Sequence, residues 1–209
     1  MKLYEAPVAG QDLPRIRGIL TIEASVFQLL AVLADLNRAC DWNSRCMDSR
    51  ILERKGLTRV IFYHRTDFPW PVSDRDVVLV TEISGHQEGS DVTAAFVTTT
   101  HAKRGPRSGT VRIPRMRGHF RLQRITPTRT RAIYELEANP GGWLPDWVVR
   151  SITRGIPSGT LRALAGYERR HRARYRSFVR KHDPAYARVP TLSSSPDPSP
   201  TTAAKVPPP

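Results

Sequence analysis

Residues 139–164, NPGGWLPDWVVRSITRGIPSGTLRAL, carry the passage from a run of strands into a long helix, and their reading decides the fold. Gly141-Gly142 stops the preceding strand. Pro145 stands where a first helical turn tolerates proline, because the N–H it lacks has no partner there in any case. Val148, Ile152 and Ile156 then recur every four residues, with Val149 beside them, as one apolar helix stripe. Pro157 is expected to kink or interrupt that helix, since it removes a donor and crowds the preceding turn. Leu161, Leu164 and Ala165 resume the same face, and beyond Tyr167 the helix turns cationic as ERRHRARYRSFVRKH.

Upstream of this junction the chain reads as strands. RILERK (50–55), TRVIFYHRT (58–66), DVVLVTEIS (76–84), DVTAAFVTTT (91–100), TVRI (110–113), GHFRLQRI (118–125) and TRAIYELEA (130–138) are short and rich in β-branched or aromatic residues. Gly, Pro, Asp or Ser separates them, the mark of turns. No helical segment intervenes, so the sheet is expected to be antiparallel. An earlier strand is read over 15–23, where Ile16, Gly18, Leu20 and Ile22 share one period-2 phase. Ser25 and Gln28 then form an S-x-x-Q capping box. Val26, Leu29, Leu30, Leu33 and Leu36 predict an amphipathic helix over 26–39, broken at Asp41-Trp42-Asn43.

Composition sets outer limits. The 209 residues suit one domain, with 39% hydrophobic and 25% charged residues, as in a soluble protein. Residues 1–182 are read as the folded domain and 183–209, rich in Pro, Ser, Thr and Ala, as a disordered tail. Cys40 and Cys46 are too few for a disulfide framework and wrongly spaced for a zinc knuckle. No signal peptide or bilayer-spanning run is evident, so a reducing cytoplasm is the expected location. The net charge of +14 invites an anionic partner. However, of 33 basic residues only Lys2, Lys55, Lys103, Lys181 and Lys205 are lysines, a bias that GC-rich coding also produces.

A helix, many antiparallel strands and a long C-terminal helix make an α+β chain of helix-grip type, a curved antiparallel sheet wrapped around the last helix. At this point the residues resemble a known family, the START (StAR-related lipid-transfer) domains of the Bet v 1-like superfamily. The likeness runs over roughly residues 2–180. It rests on Trp42-Asn43, on PWPVSDRDVVLV (69–80), on TVRIPRMRGHFRL (110–122) and above all on residues 139–164. Many START domains have an extra helix before the first strand, which this chain, opening at LYEAPV, does not show. The resemblance implies a non-catalytic protein that binds one lipid, such as a sterol or phospholipid, in an internal tunnel roofed by the C-terminal helix. It implies no metal and no cofactor.

The resemblance also puts Arg75 at the start of a tunnel-lining strand, as a polar anchor for a lipid hydroxyl or head group. The competing reading of Arg75 and Asp76 is an ion-paired brace for the PWPVSD turn, because a buried charge must be paired or solvated. Trp143, Trp147, Ile152 and Ile156 are expected in the roof. Tyr63, Phe96 and Thr98 are candidate wall residues on strands whose inward phase the sequence leaves open. Arg112 is read as a salt-bridge partner within the sheet, and Trp42 as packing the first helix onto it. Gly155-Ile156-Pro157 is read as a hinge through which the roof opens.

Two other functions compete. A polyketide cyclase or aromatase would use the same cavity, but the six scattered histidines make no H-E-x-x-H pair and no G-x-S-x-G elbow is present. Nucleic acid binding would use the basic stretch around Arg169, Arg170, Arg172, Arg174 and Arg176, which lacks stacking aromatics in a regular pattern. Those arginines are read instead as a transient dock for an anionic membrane, against the plainer reading of cations that favour a helix C-terminus.

Overall fold

A computed structural model describes residues 1–10, 13–85 and 90–183, except for the side chains of residues 146, 150 and 152–154. The strands are β1 (Lys2–Ala6), β2 (Arg15–Ile22), β3 (Cys46–Lys55), β4 (Arg59–Thr66), β5 (Asp74–Gly85), β6 (Asp91–Thr98), β7 (Thr110–Arg112), β8 (Arg115–Thr126) and β9 (Arg129–Asn139). The helices are α1 (Val26–Ala34), α2 (Asp146–His171) and α3 (Arg176–His182). The strands make one curved sheet in the order β1-β2-β9-β8-β6-β5-β4-β3. With α2 held in its grip, this is the helix-grip fold expected from the sequence.

The sheet departs from expectation at two places. Strand β1 pairs with β2 although all five of its residues are exposed, so it carries no burial pattern to read. Strand β7 is parallel to β5, joining Asp74–Asp76 to Thr110–Arg112. The cause is local. Strand β6 pairs with β5 only from Leu79 onward, which leaves the first residues of β5 an open edge. The chain crosses the outer face after β6, anchored by Thr99 N–H on the Val78 carbonyl, and returns beside that edge.

Helix α1 starts on the expected box. The Gln28 N–H donates to Ser25 Oγ, and the Ser25 N–H donates to Gln28 Oε1. It is shorter than the 26–39 expected, because the chain tightens into a 3-10 turn over Leu36–Asp41. Cys40 and Cys46, read as too few for a framework, are joined by a disulfide that closes the loop holding Trp42 and Asn43. Such a bond is at odds with a reducing compartment. Among the described residues no helix is long and apolar enough to cross a membrane.

Helix α2 is not interrupted at Pro157, contrary to the hinge reading. Its ring is buried instead, and the reason is Gly18 on β2. A Cβ at Gly18 would lie 2.9 Å from Pro157 Cβ and 3.2 Å from Leu161 Cδ1, so the bare backbone lets the roof settle onto the sheet. Leu161, Leu164 and Tyr167 continue this buried face into the main core. The far end is clasped by hydroxyls. Tyr167 donates to Asp41 Oδ2 at 3.2 Å and Tyr175 to Asp35 Oδ2 at 3.1 Å. Asp183, assigned from sequence to the tail, is buried and pairs with Arg124. Residues 184–209, the rest of that tail, lie outside the described residues.

Candidate functional site

Strand alternation sends Phe62, His64 and Thr66 of β4, Val77, Leu79 and Thr81 of β5, and Ala94 and Phe96 of β6 to the concave face. With Met116 and Phe120 of β8, Tyr134 and Leu136 of β9, and Ile156 and Thr160 of α2, they enclose a cavity of about 200 Å³. Phe120 and Tyr134 stack at 4.4 Å, and Phe96 leans on both at 6.4 Å, forming an aromatic inner end. Burial pushes the Tyr134 phenol up, so it stays protonated. The loop closed by Cys40–Cys46 brings Trp42, Asn43 and Arg45 to the wall.

Two smaller chambers share walls with this cavity. One of about 70 Å³ lies among Leu13, Phe68, Pro140 and Ile156. Another of about 160 Å³ separates Asn43–Arg45 from Ser151, Gly155 and Gly159 of α2. Among the lining residues of the main cavity Arg45 alone carries a fixed charge, and it is exposed. Burial holds the His64 imidazole down to about 4, against a smaller opposing pull from Asp48, so its ring is neutral near pH 7.

The sequence candidates divide sharply. Phe96 and Ile156 stand in the cavity wall. Tyr63 points the other way. It is fully buried on the outer face under the guanidinium of Arg104, 4.7 Å from its ring. Burial, with Asp76 beside it, pushes the Tyr63 phenol up. Thr98 shares the inward phase of Phe96 but lies beyond the cavity at the end of β6. Trp143 and Trp147 are 75% and 47% exposed, outside the cavity rather than in its roof. The side chain of Ile152 lies outside the described residues.

Arg75 has the inward phase of Val77 and Leu79 but is not part of the cavity wall. It is only 1% exposed and is used by the backbone. Nη1 donates to the Ser73 carbonyl at 2.5 Å, while Nη2 donates to the carbonyls of Gly141 at 3.1 Å and Trp143 at 3.4 Å. Its face lies 4.8 Å above the Phe68 ring. Burial lowers its affinity for the proton. Asp76 faces outward and receives Arg112 in two bonds, at 2.7 and 3.0 Å. Arg75 and Asp76 thus brace two different loops, and are not paired with each other.

The basic candidates are also mixed. Arg169, Arg170 and Arg176 are exposed. Arg172 is engaged with Glu168 and the Glu23 carbonyl, and Arg174 donates to the Tyr167 hydroxyl. Among the described residues no cluster of three or more His, Cys, Asp or Glu could hold a metal ion. Sequence reasoning missed His64, Tyr134 and the Phe62–Val77–Leu79 wall. The spacing of the buried β9 residues Ala132, Tyr134 and Leu136 would have identified the inner phase there.

Comparisons with known proteins agree with this architecture. The model of the START domain family matches residues 12–170. The chain is 29% identical over 164 residues to an uncharacterised protein of Pseudomonas aeruginosa, covering 78% of this chain and 80% of the relative. It is 25% identical over 148 residues to the phosphatidylcholine transfer protein of Bos taurus, covering 69% and 68% respectively. Among solved structures it resembles the STAR-related lipid transfer protein of Xanthomonas axonopodis, with a TM-score of 0.72 and 29% identity over 80% of this chain and 92% of the other.

Proposed function

Because the chain belongs to the START domain family, we propose that it is a non-catalytic carrier or sensor that holds one hydrophobic lipid in the cavity under α2. The supporting observation is the cavity itself, walled by Phe62, Val77, Leu79, Phe96, Phe120 and Ile156 and nearly free of charge. Removing roughly 300–400 Å² of apolar lipid surface from water contributes about 7–10 kcal/mol, before the costs of ordering. At about 200 Å³ the cavity is smaller than the roughly 300–1,000 Å³ usual for small-molecule sites. Loading therefore widens it, and the two side chambers give the directions. The reading requires no metal or cofactor.

A lipid carrier must meet a bilayer. Trp70, 89% exposed, lies on the loop before β5, while Trp143 and Trp147 flank the start of α2. Arg75 ties those two segments together, beside the chamber at Phe68 and Pro140. Indole rings favour the membrane interface, so this end is the proposed dock. The exposed Arg169, Arg170 and Arg176 lie at the opposite end of the 26-residue α2, too far away to share this dock, and are proposed to meet anionic lipid only in a second orientation, at about 1 kcal/mol per residue near the surface.

Native mass spectrometry of the purified protein after incubation with vesicles, followed by extraction, tests the carrier reading. One lipid per chain, recovered chemically unchanged, supports it. An empty cavity, or a ligand returned altered, favours the cyclase reading. Flotation with vesicles against competing duplex DNA tests the dock. Trp70→Ala/Trp143→Ala should lose vesicle binding, and displacement by DNA would instead favour nucleic acid.

A further inference from the structure

The cavity contains one side chain whose chemistry is set by its neighbour. His64 on β4 lines the cavity, with Nδ1 3.8 Å from the sulfur of Cys46. That sulfur is bonded to Cys40 and carries no hydrogen, so it can only accept. The contact is favourable when Nδ1 holds the ring proton. In a neutral imidazole Nε2 is then a bare acceptor. Among the described residues no hydrogen bond to Nε2 is present, although the ring lines the cavity.

The remaining polar lining is neutral. Asn43, Thr66, Thr81, Tyr134 and Thr160 contribute amide and hydroxyl groups, Trp42 an indole N–H that is buried without a partner, and the charged Arg45 is exposed. The other inward arginine, Arg75, is taken up by three backbone carbonyls. An anionic group drawn to the depth of His64 would therefore be desolvated with no counter-charge, which is costly. It would also meet an acceptor, where a donor is needed.

We propose that His64 anchors the ligand, its Nε2 accepting a hydrogen bond from the hydroxyl of a neutral, otherwise apolar lipid. This rests on the lipid-carrier reading and narrows it to a chemical class, the lipid alcohols. The disulfide contributes by fixing the ring tautomer. A ketone of the same shape offers Nε2 only another acceptor, and a carboxylate adds an unpaired charge.

The test uses the full oxidised chain with hexadecanol, 2-hexadecanone and palmitate, titrated by displacement of a bound fluorescent reporter. Hexadecanol should bind about tenfold more tightly than either of the others. In His64→Phe, with folding checked by circular dichroism, hexadecanol should fall to the level of the ketone. On wild-type protein labelled with ¹⁵N-histidine, hexadecanol should shift Nε2 of His64 and leave Nδ1 protonated. That readout does not depend on any variant folding. Equal binding of the three ligands, tighter palmitate binding, or a preference that survives His64→Phe overturns the anchor. Failure of all three to bind overturns it as well, and vesicle lipid recovered by mass spectrometry then shows whether the carrier reading stands without it.

Discussion

Arg75 at the start of β5 reaches the carbonyl of Gly141 across 66 residues of sequence, with Nη2 3.1 Å from the oxygen. The bond ties the strand to the loop that launches α2. Gly141 and Gly142 both have positive φ, 66° and 63°, a backbone state that suits glycine. The bend they make turns the Gly141 and Trp143 carbonyls toward the guanidinium. Arg75→Leu keeps the apolar stem but removes three hydrogen bonds from the buried guanidinium to carbonyls of partly exposed residues, each worth about 1 kcal/mol net. Urea unfolding should show a loss of about 3 kcal/mol, and an unchanged midpoint would remove Arg75 from this role.

Gly118 on β8 sits where no side chain fits. A Cβ there would come 2.1 Å from the Glu135 carbonyl oxygen and 2.7 Å from Phe96 Cζ. The first obstacle is the backbone of β9, its own paired strand, so Gly118→Ala must displace the β8–β9 ladder. Overpacking of this kind costs about 1–3 kcal/mol, and more where backbone has to yield. A drop in thermal midpoint together with changed Phe96 and Tyr134 signals in NMR spectra is expected.

The layout of helix, strands and long helix was legible because each element carries its own periodicity, as at Val148, Ile156, Leu161 and Leu164. The inward phase of β4 was not. Val60, Phe62 and Tyr63 are all buried, because the outer face near Tyr63 is covered by Arg104 from the crossing chain. A strand covered on both faces loses the alternation that reveals its inner side. Arg75 misled for a related reason. Its phase is inward, but Nη1 is spent on the Ser73 carbonyl and Nη2 on the Gly141–Trp143 loop. Pro157 misled because α2 runs on through it, and its burial depends on Gly18, 139 positions earlier, which no local rule connects to it.

His64 gives the fold a pH dependence. Its ordinary value of 6.5 in the unfolded chain falls to about 4 when buried. Between these values the unfolded state binds more protons, so stability rises with pH. It is fully present above about 6.5 and is lost as pH falls through about 4. The slope approaches 1.4 kcal/mol per pH unit, up to about 3 kcal/mol across the window. Burial also lowers His119, which acts in the same direction. Urea midpoints measured from pH 7 to pH 4.5 should therefore fall less in His64→Phe than in the wild type, by close to one proton. Parallel curves would show that His64 does not titrate with folding.

The Cys40–Cys46 bond closes a short loop, and its loss frees unfolded-state entropy worth about 2 kcal/mol for a ring of this size. The same loop supplies Trp42, Asn43 and Arg45 to the cavity, and Asn43, Ser44 and Arg45 to the chamber beside α2. Cys40→Ser/Cys46→Ser should lower stability by that amount and speed lipid release, whereas loss of stability with unchanged release would make the bond purely structural.

Gly18 offers the most direct handle on the roof. Because Pro157 Cβ and Leu161 Cδ1 lie 2.9 and 3.2 Å from where its Cβ would stand, Gly18→Val must push α2 away from β2. The helix cannot slide freely, since Tyr167 is bonded to Asp41 at its far end. The displacement should therefore concentrate around Ile156 and Thr160, which form the cavity ceiling. Overpacking is expected to cost about 1–3 kcal/mol in stability, and lipid exchange between vesicles should accelerate several-fold. Pro157→Ala keeps the Cβ and carbonyl oxygen that meet Gly18 and restores a helix donor, so it should leave this contact and the exchange rate unchanged. Slower exchange in Pro157→Ala would restore Pro157 as a hinge. Unchanged exchange in Gly18→Val, with its stability lowered as expected, would mean that lipid passes elsewhere than beneath α2.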